Sequence, residues 1–194
     1  MSIYFTSDTH YGHANIIKYS KRPFNDAAEM NKILVKNWNK KVTPNDEVYH
    51  LGDVGMGRED FISGILGRLN GRKYLIKGNH DKKTWKAASF QKHWIWIKDY
   101  FELTVNGQFI VLHHYPELTW NKGHHGSWML HGHCHHSIDH LNVDTTRLDV
   151  GVDGPGFDYS PLSFDEVKEI MDKKNYKAVD HHGDNISERV GKIQ

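Results

Sequence analysis

Lys73-Tyr74-Leu75-Ile76-Lys77-Gly78-Asn79-His80-Asp81 is a β-prone run that empties into a polar turn. The same order of events occurs twice upstream, where Ile3-Tyr4-Phe5-Thr6-Ser7 ends at Asp8 and Glu47 to Leu51 runs into Gly52-Asp53. Helical patterns alternate with these runs. Asp26 offers an N-cap with Glu29 three residues later, and Met30, Ile33, Leu34 and Trp38 follow at helical spacing. Phe61, Ile62, Ile65, Leu66 and Leu69 mark another helix, stopping near Gly71. Strand, polar loop and helix in alternation predict an α/β fold with its site at the carboxyl ends of the strands.

The second half changes character. Tyr100 to Val105 and Gln108 to Leu112 flank Asn106-Gly107, a strong hairpin signal, and the second of these runs leads to His113 and His114. Ser127 to His131 and Arg147 to Val152 read as further strands, and Ser163 with Glu166 forms a capping box for a last helix bearing Phe164, Val167, Ile170 and Met171. Periodicity fades after Asn175. The expected organisation is one domain over 1–175 followed by a polar segment, 176–194.

Composition sets outer limits. A chain of 194 residues can bury a sizeable core without disulfides, and its one cysteine, Cys134, excludes an internal disulfide framework. With 25 Lys plus Arg against 24 Asp plus Glu, the net charge of +1 gives no whole-protein field toward nucleic acid or an anionic membrane. There is no signal-peptide pattern and no apolar run near the ~20 residues of a membrane span, so the expectation is a cytoplasmic protein with no membrane partner. The outlying number is 16 histidines.

Five polar islands, holding six of those histidines, occur in order along the chain: Asp8-Thr9-His10, Gly52-Asp53, Gly78-Asn79-His80-Asp81, His113-His114 and Gly132-His133-Cys134-His135. Residues two apart in an extended strand share a face, so Asp8 with His10, and His133 with His135, are each expected to grip a metal together. Two divalent ions ~4 Å apart repel by roughly 17 kcal/mol at an effective dielectric of ~20, so such a site needs anions and ideally a bridging one. Asp8 and Asp53 are those anions. Imidazole and amide oxygen complete a shell suited to Mn, Fe, Zn, Co or Ni and too nitrogen-rich for Mg or Ca.

The islands resemble the calcineurin-like metallophosphoesterase superfamily, whose D-x-H, GD, GNH[DE], H, GHxH pattern is matched in order from residue 8 to 135. Ser7-Asp8-Thr9-His10-Tyr11-Gly12-His13, Arg22-Pro23-Phe24 and His114-Tyr115-Pro116 further resemble its small stand-alone phage and bacterial members. The resemblance implies two central β-sheets packed as a sandwich and flanked by helices in four layers. It implies one metal held by Asp8, His10 and His135, a second held by Asn79, His133 and His114, with His113 as the fallback, and Asp53 as the bridge.

The implied cofactors are two divalent transition-metal ions, Mn first and Fe, Zn, Ni or Co otherwise. The implied activity is hydrolysis of a phosphomonoester or phosphodiester, with a nucleotide or cyclic nucleotide among the candidates, by attack of a metal-bridging hydroxide. His80 would be the catalytic acid and Asp53 the second catalytic residue. Arg22, which could clamp a phosphate oxygen or equally sit in a surface ion pair, and His13 are the candidate substrate contacts. Serine/threonine phosphatases of the superfamily carry a second aspartate in G-D-x-x-D-R-G where this chain has Met56, which argues against a protein phosphatase and leaves Asp81 as the candidate to orient His80. A nuclease and a non-catalytic metal-binding scaffold are the alternatives. A nuclease should show a basic groove with aromatic residues, which the sequence does not display, so the expected partner is a small phosphate ester.

Overall fold

The computed structural model describes residues 1–177. In chain order these form β1 (Ile3–Thr6), α1 (Ala14–Tyr19), α2 (Ala27–Lys41), β2 (Glu47–His50), α3 (Glu59–Leu66), β3 (Arg72–Ile76), α4 (Ala88–Gln91), β4 (Ile97–Lys98), β5 (Tyr100–Val105), β6 (Gln108–His113), β7 (Trp128–His131), β8 (Arg147–Asp149), β9 (Leu162–Ser163) and α5 (Phe164–Met171). The polar segment expected over 176–194 lies, beyond Lys177, outside the described residues.

Two sheets result. One has the order β4-β3-β2-β1-β9, parallel except for the antiparallel β9, and the other the order β5-β6-β7-β8, in which only β5 and β6 are antiparallel. The β5–β6 turn is carried by Asn106 (φ 49°) and Gly107 (φ 84°), the left-handed pair that a type I′ hairpin demands.

Strand alternation sorts the core into two buried layers. Phe5, Tyr49 and Tyr74 point from the first sheet toward Leu112, Leu130 and Leu148 of the second, while Val48 and Leu75 point the other way onto Met30, Leu34 and Trp38 of α2 and Ile62 and Ile65 of α3. The first sheet is thus buried on both faces, as parallel sheets are. This is the expected sandwich of two sheets with flanking helices.

The caps behave as the sequence predicts. Asp26 accepts the Glu29 backbone N–H at 2.8 Å, and Glu29 reaches back to the Asn25 backbone N–H. At α5, Ser163 Oγ accepts from Glu166 N–H while the Glu166 carboxylate accepts from Ser163 N–H. Ser163→Ala is expected to cost about 1 kcal/mol, read as a lower urea midpoint at unchanged slope.

Two boundaries differ from expectation: the helix expected to include Leu69 and stop near Gly71 ends at Leu66, capped at Gly67, and the other lies in β8. The strand predicted over Arg147–Val152 leaves its ladder after Asp149, because Gly151 crosses to form an isolated bridge with Ser7 of the other sheet. That crossing ties the two sheets together where the polar loops emerge. Among the described residues the longest helix has 15 residues, and no helix is long and apolar enough to cross a membrane.

Candidate metal centre

Backbone hydrogen bonds lace the loop after β1 to the loop after β2, and the loop after β6 to the loop after β7. Asp8 N–H donates to Gly52 O at 3.0 Å, His10 N–H to Asp53 O at 3.0 Å, and Gly132 N–H to His114 O at 3.0 Å. A Cβ at Gly78 would lie 2.1 Å from Asp53 Oδ1, and one at Gly132 would lie 1.9 Å from Ser7 Oγ. Only glycine admits this approach.

Asp8 and His10 do come together, joined by His135, but His133 falls with Asp53 and His114, so the expectation that His133 and His135 grip one metal together is corrected; nor does strand alternation make the Asp8–His10 pair. Asp8, His10, Asp53, His133 and His135 all have positive φ, between 46° and 70°. The expectation of extended pairs is therefore corrected: β1 ends at Thr6 and β7 at His131, and the ligands lie on left-handed turns beyond them. Asp and His tolerate this region better than branched residues do, and each such residue stores on the order of 1–3 kcal/mol that the surrounding lacing must hold.

Two groups of metal-competent side chains form, one of Asp8, His10 and His135 and one of Asp53, His114 and His133. Asp8 Oδ1 stands 3.8 Å from both His10 Nε2 and His135 Nε2. Asp53 Oδ2 stands 3.7 Å from His10 Nε2 and 3.7 Å from His114 Nε2, so this one oxygen lies between the groups. Asn79 Oδ1 joins the second group at 3.0 Å from His114 Nε2 and 2.9 Å from His133 Nδ1. His113 does not join; it turns to Glu117, 2.9 Å away.

The donors fit divalent cations. Asp8 Oδ1 and His10 Nε2 are fully buried without any hydrogen-bond partner, an arrangement that costs several kcal/mol unless a cation satisfies both. Burial holds the pKa values of His10, His114 and His133 down, so these imidazoles are neutral, the form that ligates. Burial, then the charges of Asp149 and Asp53, push Asp8 well above the usual carboxylate range. A crowd of buried carboxylates of this kind is relieved by positive charge.

A family model described as calcineurin-like phosphoesterase matches residues 1–191. The chain belongs to this family. It is 36% identical over 177 residues to the Methanocaldococcus jannaschii protein MJ1445, covering 88% of this chain and 92% of that one. It is 28% identical to the Gene 66 protein of Mycobacterium phage D29, covering 88% and 96% of the two chains. A crystal structure of a protein of unknown function from Aquifex aeolicus superposes with a TM-score of 0.69 at 27% identity, covering 87% of this chain and 98% of that one.

Within this calcineurin-like framework, Arg22 has a different place from the one expected. Its side chain is buried, with Nε and Nη2 on the Asp153 carboxylate at 2.7 and 2.9 Å and further donation to the carbonyls of Asp8 and Thr9. The expectation of a phosphate clamp is corrected, since the guanidinium's donors are spent inside the protein. Asp153 in turn meets His135 Nδ1 at 2.6 Å, leaving Nε2 to face Asp8. Burial opposes ionisation of Asp153, but the hydrogen bonds from His135 and Arg22 outweigh it and hold its pKa low. Arg22, Asp153 and His135 thus form a buried relay that aims one ligand.

Asp153→Asn is expected to weaken metal binding at the Asp8–His10–His135 group about 10–100-fold, measured by calorimetric titration of metal-stripped protein whose circular dichroism is unchanged. Asp153 escaped notice in the sequence. The available signal was its position directly after the predicted strand ending at Val152, followed by Gly154, the same strand-then-polar-turn order as the other islands.

Asp81 also differs from expectation. Its carboxylate accepts the backbone N–H groups of Asp53, Val54 and Gly78 at 2.8–3.0 Å, so it clamps two loops rather than orienting the His80 ring. Burial pushes its pKa up to about 7 against the pull of those three donors. His80 donates its own backbone N–H to Asp53 Oδ1 at 2.8 Å, and its half-exposed ring places Nε2 4.0 Å from Asp53 Oδ2. His13 sits at the rim, 5.4 Å from the His10 ring and 6.3 Å from that of His80.

The other aromatic and histidine side chains around the loops divide between core and rim. Trp128 is buried and stacks on Phe164, whereas Tyr115 is 42% exposed and meets the His133 ring at 4.6 Å. His50 is buried with Nε2 3.0 Å from Thr9 Oγ1, and burial lowers its pKa to about 3. Burial raises the Cys134 thiol to about 11, so it is no thiolate at neutral pH.

Proposed function

We propose that this protein is a metal-dependent phosphoric ester hydrolase that works with two divalent transition-metal ions, Mn first, on a phosphomonoester or phosphodiester. The observation that carries this reading is Asp53 Oδ2, equidistant at 3.7 Å from an imidazole nitrogen of each ligand group, with His80 Nε2 4.0 Å away. Asp8, His10 and His135 would hold one ion, Asn79, His114 and His133 the other, and Asp53 would serve both. Bound there, such ions would supply a nucleophile from water near neutral pH and would offset charge on phosphorus.

The chain's own residues do the rest. His80, outside the ligand groups and open to solvent, can carry a proton to the leaving oxygen. Arg22 and Asp153 keep His135 in one orientation, and Asp81 keeps the Asp53 and Gly78 loops in register. Met56, where the protein phosphatases carry aspartate, leaves the His80 ring without that carboxylate and supports a non-protein substrate.

The test is a panel of p-nitrophenyl phosphate, bis-p-nitrophenyl phosphate, 2′,3′-cyclic nucleotides and single-stranded DNA, offered to stripped protein resupplied with Mn, Ni, Zn or Mg. Hydrolysis that appears with Mn and not with Mg is the expected result. Inactivity on every ester with every metal overturns the reading.

A further inference from the structure

Two depressions open beside His80. The larger, about 450 Å³, has Gly55, Met56, His80 and Thr84 in its walls, and the smaller, about 210 Å³, has Lys77, Trp85 and Tyr115; Asn79 and Lys82 line both. Lys82 therefore stands where the two meet, on the 3-10 turn His80–Lys83 that also carries the candidate proton donor. Its side chain is exposed and, among the described residues, makes no hydrogen bond or ion pair.

The lysines lining the two depressions are Lys77 and Lys82, against one lining acid, Asp99; the neighbouring Asp81 is buried and taken up by backbone N–H groups. Lys77 is partly offset by Asp99 at 2.7 Å, and the Lys77 and Lys86 ammonium groups lie over the Trp85 ring at 4.7 and 5.5 Å. Among the described side chains lining the depressions, Lys82 is thus the uncommitted cation. The larger depression differs in character: Met56, 39% exposed, and the side-chain-free Gly55 give it an apolar wall next to His80. An apolar slot followed by a free ammonium matches a nucleoside followed by a phosphate.

We propose that these depressions are the leaving-group side of the substrate site, and that the substrate is a linear phosphodiester of nucleotides whose leaving nucleoside carries a further phosphate. The nucleoside lies against Met56 beside His80, and Lys82 takes the further phosphate. Water supplies the oxygen of the new P–O bond, the P–O bond to the leaving nucleoside breaks, and that nucleoside's oxygen leaves as a hydroxyl. This rests on the phosphoesterase reading above and narrows its substrate.

The test compares two thymidine dinucleotides, with and without a phosphate on the leaving nucleoside, on Mn-loaded wild type, Lys82→Ala and Lys82→Arg. Binding of thymidine 3′,5′-bisphosphate, followed by calorimetry, is the second readout. Wild type is expected to prefer the phosphorylated dinucleotide by about tenfold in kcat/KM, through KM, and Lys82→Ala to bring that ratio to within about twofold of unity. Lys82→Arg should keep most of the preference, and bisphosphate affinity should fall about tenfold in the alanine variant. A preference that survives Lys82→Ala, unchanged bisphosphate affinity, or hydrolysis of bis-p-nitrophenyl phosphate with neither dinucleotide cleaved overturns this inference alone. Inactivity on all esters overturns the phosphoesterase reading with it.

Discussion

Asp53→Ala is expected to lower ester hydrolysis about 10⁴-fold or more and to leave less than two tightly bound metal ions per chain. Two divalent ions held close repel strongly, and Asp53 Oδ2 is the negative charge lying between the two imidazole groups. Its other oxygen accepts the His80 backbone N–H, so its loss also releases the turn that carries the candidate acid. The fold should survive. The Asp53 backbone is held independently by the Asp81 carboxylate and by His10 N–H donating to Asp53 O. Equilibrium dialysis with elemental analysis, run beside the ester panel, reads both losses. Asp53→Asn separates them, since the amide oxygen can still accept from His80 while the charge is gone. Two ions retained with full activity in either variant would remove Asp53 from the centre of the mechanism.

His80→Ala should behave differently: kcat falls about 10²- to 10⁴-fold while metal content stays at the wild-type value. His80 is half exposed and stands outside both ligand groups, so no metal contact is lost with it. A proton donor matters most when the leaving oxygen is basic. The loss is therefore expected to be larger for a nucleoside ester than for a p-nitrophenyl ester, whose leaving group departs as a stable anion. Equal losses on the two substrates, or a parallel fall in bound metal, would assign His80 to binding or to structure instead.

The alternation of strand and polar loop was readable because its signals are local. The caps of α2 and α5, the Asn106-Gly107 hairpin and the strands ahead of Asp8, Asp53 and Asn79 each depend on a handful of consecutive residues, and each forms as expected. The short α1, α4, β4 and β9 went unread. At two to six residues they carry too little periodicity to stand out, and β9 exists only because Leu162 finds Phe5 across the sheet.

The site divides along the same line. Residue types in order along the chain were enough to name Asp8, His10, Asp53, Asn79, His133 and His135, because metal-binding chemistry restricts which side chains can serve and glycine marks where backbones must touch. Choosing His114 over His113, turning Arg22 from a substrate contact into the buried support of Asp153, and giving Asp81 to three backbone donors all required the folded chain. The deciding contacts reach far along the chain, 27 positions from Asp81 to Val54 and 131 from Arg22 to Asp153, and a carboxylate's or guanidinium's partner over such a distance is settled by which loops the two sheets bring side by side.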